Sequence, residues 1–169
     1  LGDVYKRQIL GGSHSPSPLN SEAHQGDLSA VLLQNLNPLV NLIRIPKKPI
    51  ILMDEWESKI KAIVENTWNK DVNSLSGVPS WMLVLIKAVL KKTGREYLTD
   101  VWPNLEVFFH GGISFEPYRE QYKTLIPSNK MHYMETYNAS EGFFGLQDDP
   151  TDSSLLMMPD YGIFYEFIP

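Results

Sequence analysis

At 169 residues, with 43% hydrophobic and 11% aromatic, the chain is long enough for one domain with a sizeable core. A formal charge of -5, a pI near 5.3 and scattered basic residues exclude the cation clusters that nucleic-acid phosphates require; Lys-Lys occurs only at Lys47–Lys48 and Lys91–Lys92. The absence of cysteine removes disulfides, thiol nucleophiles and cysteine-type zinc sites and fits a cytoplasmic protein, and no apolar run reaches the roughly 20 residues of a membrane helix.

The start, LGDVYKRQ, has no initiator Met and no signal-peptide apolar core, and the end, FYEFIP, stops on an aromatic run. The chain is therefore expected to be a fragment, with residues 1–8 a stub foreign to the fold; the alternative is that VYKRQIL begins a real strand. After QIL, the Gly, Ser and Pro of GGSHSPSPLN predict a loop. Leu28, Val31, Leu32 and Leu36 then recur at helical spacing behind Asp27 as N-cap, and Pro38 marks the end of that helix. RIPKKPIILM reads as a Pro-punctuated connector.

From Asp54 as N-cap, EWESKIKAIVENTWNK places Trp56, Ile60, Ile63, Val64 and Trp68 near one face and Glu57, Lys61 and Glu65 on another. Trp81 to Ile86 are apolar without a break, which predicts a helix buried nearly all round, opened by Pro79 and capped by Gly94. Leu105–Phe109 reads as a short strand breaking into Gly111–Gly112, and EPYREQYKTLIP as a helix from Glu116 and Pro117 to Pro127. MHYMETYNA alternates as a strand, and PDYG predicts a hairpin turn joining two last strands. The interleaving of strand, glycine turn, helix and strand implies an α/β fold with part of the sheet parallel.

In such sheets ligands collect beyond the carboxyl ends of the strands. Two strands end in unusual polar sequences. His110–Gly111–Gly112 could let a flat ligand or a phosphate approach the backbone, or be a plain turn. TYNASEGFFG, residues 136–145, could be a turn between strands, a glycosylation sequon at Asn138, or a nucleotide site. In the last case Tyr137 stacks on a purine, the Ser140 hydroxyl bonds phosphate and Glu141 holds Mg²⁺. Asp148, Asp149, Asp152 and Asp160 lack calcium-loop spacing and read as a solvated loop, and the four histidines show no ligand spacing. Neither GxxxxGK[ST] nor GxGxxG is present.

SGVPSWMLVL, WPNLEVFFHGGISFEPYREQY, YNASEGFFGLQDDP and LLMMPDYGIFYEFIP, in this order, together with GGSHS and GDLSAVLL, resemble the auxin-responsive promoter family of acyl-acid amido synthetases, most closely its bacterial branch. The resemblance spans residues 9–169 and implies a partial large N-terminal domain of the adenylate-forming fold, a mixed sheet with flanking helices. It implies ATP-dependent activation of a carboxylic acid to an acyl adenylate, followed by transfer to the amine of an amino acid, with ATP and Mg²⁺ required. His110, Gly111, Gly112, Tyr137, Asn138, Ala139 and Ser140 fall on nucleotide-binding positions, with Ser140 and Glu141 in the reaction and Glu141 at the metal. Gly77, Val78, Pro79 and Trp81, with Tyr161 and Phe164, fall on the wall of the acyl pocket.

The family's Ser/Thr/Gly-rich phosphate motif, its ribose-gripping Asp motif and its C-terminal domain have no counterpart in these residues. The intact parent is thus expected to be the enzyme and this piece inactive by itself. The rival readings are an acyl-CoA ligase of the same superfamily and a non-catalytic interaction module that retains the fold.

Overall fold

A computed structural model of the protein describes residues 6–17 and 24–168. Lys6, Arg7 and Gln8, expected to belong to a stub, are instead paired within β1 (Lys6–Leu10). Part of the expected Gly/Ser/Pro loop is also strand, because β2 (His14–Pro16) pairs antiparallel with β3 (His24–Gly26); residues 18–20 of that loop lie outside the described residues. α1 (Leu28–Gln34) follows and stops before Pro38, which opens a 3₁₀ turn. The expected connector holds two short elements, β4 (Arg44–Ile45) and α2 (Lys48–Ile51).

α3 (Trp56–Thr67) is capped by Glu55 and not by Asp54. The longer Glu55 side chain reaches back to accept from Glu57 N at 2.9 Å and Ser58 N at 2.6 Å, satisfying amides that the first helical turn leaves unpaired. β5 (Val72–Gly77) was not anticipated; only Val72 and Leu75 carry a hydrophobic signal, the rest being Asn, Ser and Gly. α4 (Pro79–Thr93) has Pro79 in its first turn and a left-handed Gly94 cap, as its sequence predicts. Its first two turns are not buried all round: Trp81 and Val84 are 38% and 45% exposed, on the face turned away from the core.

β6 (Val107–Gly111) is followed by a 3₁₀ turn that runs into α5 (Arg119–Leu125). β7 (His132–Ala139) and β8 (Gly142–Leu146) form a hairpin, and β9 (Leu156–Met157) adds to β8. The second strand expected after PDYG does not form among the described residues; Phe164, Phe167 and Ile168 stand exposed without a partner strand.

The main sheet runs β4-β1-β5-β6-β7-β8-β9, parallel from β4 to β7 and antiparallel beyond. Register sets Gln8 beside Leu75 and Leu75 beside Phe108, and the same face carries Leu10 and His110. The core lies on this face, where α3, α4 and α5 supply Ile63, Val64, Met82, Ile86, Val89 and Tyr122. Tyr122 stacks on Phe108 at 5.1 Å, and its hydroxyl donates to Pro79 O at 2.8 Å, tying α5 to the start of α4. No helix of the described residues is long and apolar enough to cross a membrane.

Removing a buried hydroxyl that bridges two helices should cost about 1 kcal/mol. Tyr122→Phe is therefore expected to lower the urea midpoint while keeping the slope of the transition. An unchanged midpoint would show that the bridge adds nothing to stability.

Candidate functional site

A cleft of about 430 Å³ opens at the carboxyl ends of β1, β5, β6 and β7. The chain steps from β1 outward to β4 and then returns across β1 to β5, so the strand order reverses between β1 and β5. A sheet parts its loops at such a reversal and leaves a crevice. The alternation of the strands directs Ile9, Ser76, Phe109 and Thr136 to the face opposite the core, where they form the floor. Leu28, Leu32 and Leu36, in and just beyond α1, and Phe143 of β8 close the sides.

The corner after β1 is pinned from two directions. Gly12 N donates to Ser29 Oγ at 2.8 Å and Ser13 N to Asp27 Oδ2 at 3.3 Å, stitching this corner to the start of α1. Asp27 precedes the helix as expected but caps none of its amides; its carboxylate serves the corner. Any Cβ at Gly12 would overlap that carboxylate. From beneath, the Lys59 ammonium, 2% exposed, donates to Gly11 O at 2.7 Å and Gly12 O at 3.2 Å. Burial pushes the Lys59 pKa down, while the Asp27 and Asp54 carboxylates oppose that shift. A buried cation persists only where such partners compensate its lost hydration.

At the other end, β6 closes against β7 through glycine. A Cβ at Gly111 would meet Thr136 Oγ1 at 2.6 Å, and Gly112 takes the left-handed φ of +81° that lets the chain leave the sheet sharply. Thr136 Oγ1 donates to His110 O at 3.0 Å. TYNASEGFFG is a hairpin turn, since Ala139 pairs with Gly142 and Ser140–Glu141 form its tip, and its first limb also lines the cleft through Asn138, Ala139 and Ser140. A bulge at Phe144 offsets the register between Tyr137 and Asn138.

Of the residues singled out in the sequence, Gly77, Val78, Trp81, Gly111, Gly112, Asn138, Ala139 and Ser140 converge on the cleft. Others do not. The His110 ring is buried on the core face, stacked on Phe115 at 4.3 Å, because it alternates with Phe109, which takes the cleft side. Pro79 is buried and meets Tyr122 through its carbonyl. Tyr137 is 56% exposed and lies against Phe144 at 5.0 Å, away from the lining. Glu141 is exposed at the tip, one residue beyond the lining Ser140. Tyr161 and Phe164 are 61% and 90% exposed and do not line the cleft; Tyr161 lies against Phe143, at 6.3 Å.

Sequence reasoning missed Asp27, Ser29, Phe109, Thr136 and Phe143 as lining residues. Strand alternation would have found Phe109 once Phe108 was placed in the core. Trp81 is braced by Trp56 at 5.7 Å, so the helix-capping end of α3 supports the wall of the cleft. Among the described residues, no three of His, Asp and Glu converge as a metal cage. The loop aspartates are occupied locally: Asp149 accepts from Thr151 and Asp152 from Ser154.

Residues 2–131 match the GH3 family N-terminal domain. The chain belongs to the GH3 family. This is the auxin-responsive acyl-acid amido synthetase family, and the mixed α/β sheet agrees with the N-terminal domain of an adenylate-forming fold. The match spans β1 to the end of α5, and so includes the pinned corner, Trp81 and Gly111–Gly112. The β7–β8 hairpin with Asn138–Glu141 follows it in the chain. No curated protein matches the GH3 chain.

Burial, and then the Arg119 guanidinium, push the His110 pKa down from its ordinary value to about 4. The unfolded chain takes up that proton near pH 6.5, so protonation favours unfolding as the pH falls through the interval from 6.5 to 4. Stability from this source is complete above the interval and is lost within it. Between pH 7 and 4.5 the protein should lose roughly 2–3 kcal/mol more than His110→Phe, measured by urea unfolding. Equal losses in the two proteins would contradict the buried neutral ring.

Proposed function

We propose that this chain supplies the acyl pocket and part of the nucleotide site of an ATP-dependent acyl-acid amido synthetase. The observation that carries the reading is one cleft, in a GH3 domain, that joins an apolar wall at Val78 and Trp81 to a glycine corner and a hydroxyl-bearing strand end. In the first step a carboxylate oxygen of the acid attacks the α-phosphorus of ATP and pyrophosphate leaves with the electrons of the broken P–O bond. In the second, the amine of an amino acid attacks the acyl carbon, the C–N bond forms, AMP departs and the amine gives up its proton.

The residues of the cleft suit these substrates. Gly111 and Gly112 present backbone without side chains, which lets a flat base or a phosphoryl oxygen come close. Asn138 and Ser140 offer hydrogen-bond donors to developing negative charge, and Val78 and Trp81 exclude water from the acyl body. Mg²⁺ typically takes one or two carboxylates and completes its shell with water and substrate phosphates, so a single Glu141 beside Ser140 fits it where an all-protein cage is lacking. The ion would neutralise phosphate charge during the attack of one anion on another. In this reading Tyr137, set outside the lining, holds the hairpin through Phe144.

Acid-dependent ATP–pyrophosphate exchange by the full-length protein tests this. Glu141→Ala should lower exchange by about 10²-fold or more, in line with the loss of a principal electrostatic group. Its unfolding midpoint should hold, because Glu141 is exposed at a turn. Trp81→Ala should reorder the acids accepted. Exchange that survives Glu141→Ala removes this residue from the metal role, and absence of exchange with every acid removes the ligase reading.

A further inference from the structure

Polar groups stand at both ends of the cleft, Thr136, Asn138 and Ser140 beside Phe143 at the β7 end and Asp27 and Ser29 among Leu28, Leu32 and Leu36 at the β1 end, while Val78, Trp81 and Phe109 line the middle. β5 and β6 separate β1 from β7. Three interstrand spacings place the two ends about 14 Å apart, the length of an extended small acid and not of a compact one.

Among the described residues, Asp27 is the one ionisable side chain that lines this cleft. Its exposed carboxylate accepts from Ser13 N at 3.3 Å and lies against Gly12, whose carbonyl is in turn gripped by buried Lys59. A carboxylate at one end of a cleft repels a second carboxylate beside it and attracts a hydrogen-bond donor. The acid group of a bound substrate therefore belongs at the β7 end, where Thr136, Asn138 and Ser140 offer donors and where Glu141 would hold Mg²⁺, with its body along Trp81.

Given the activation of an acid at the β7 end proposed above, we infer that Asp27 reads the far end of the acyl substrate. The preferred acids are elongated, apolar in the middle and tipped with a donor such as a hydroxyl, an amine or a ring N–H. Diacids of the same length are rejected.

The test uses a matched pair, 4-(4-hydroxyphenyl)butanoic acid and 4-(4-carboxyphenyl)butanoic acid, in pyrophosphate exchange by the full-length protein. The hydroxy acid should be favoured in kcat/KM by at least tenfold, through KM. Asp27→Asn should shrink that ratio below threefold, and Asp27→Ser, which keeps a favourable residue ahead of α1, should do the same. An equal rate for the two acids, or a preference that both variants preserve, overturns the role of Asp27. Loss of exchange with all acids speaks against the ligase reading instead. Calorimetric binding of the same two acids then decides the Asp27 role alone: a hydroxy-acid preference that Asp27→Asn abolishes supports it, and equal affinities overturn it.

Discussion

Parallel pairing of β1, β5, β6 and β7 is the constraint from which the rest of the molecule follows. Parallel neighbours cannot be joined by a tight turn, so each connection must cross the sheet, and here α4 and α5 do so on one face. Their burial against Leu75 and Phe108 makes the core. The same arrangement brings the carboxyl ends of these strands together at one rim. Each end carries a residue with little or no side chain: Gly11 just after β1, Gly77, Gly111 and Ala139. A crevice forms there because backbone, not side chain, occupies the rim.

The two sides of that crevice are held differently. On the β1 side the hold is electrostatic, a buried ammonium under two carbonyls with a carboxylate above them. On the β7 side it is steric and backbone-based, since Gly111 lets Thr136 come close enough to bond His110 O. Between them Trp81 leans on Trp56, so the wall of the cleft is set by packing between α3 and α4. A substrate bound across this space would touch elements from both halves of the sheet.

Much of the scaffold was legible in the sequence. α3 announced itself by periodicity, though its cap is Glu55 and not Asp54, α4 by its apolar run, Pro79 and Gly94, β6 by the glycines that break it and β7 by alternation. β5 was hidden because backbone pairing to parallel neighbours on both edges holds a strand of Ser and Asn in which only Val72 and Leu75 join the apolar core. At the site, Gly111–Gly112 and Asn138–Ser140 stood out as polar sequences at strand ends, with turn and ligand readings both open, and family resemblance favoured the ligand reading. His110 was expected at the site because an imidazole suggests chemistry; alternation from Phe108 turns it to the core and gives the cleft side to Phe109. Asp27 looked like a helix cap because its contact with Gly12 and Ser13 is made across a chain crossing, which local pattern does not reveal.

In the proposed reaction one cleft orients acid and nucleotide in a fixed sense, with the acyl group toward β1 and the nucleotide toward β7. The decisive experiment is a crystal structure of the full-length protein with an acyl-sulfamoyl adenosine, a stable mimic of the acyl adenylate. Adenosine is expected against Gly111–Gly112 and Asn138–Ser140, with the acyl chain along Val78 and Trp81 toward Asp27. An analogue bound in the reverse sense, or outside this cleft, would contradict it.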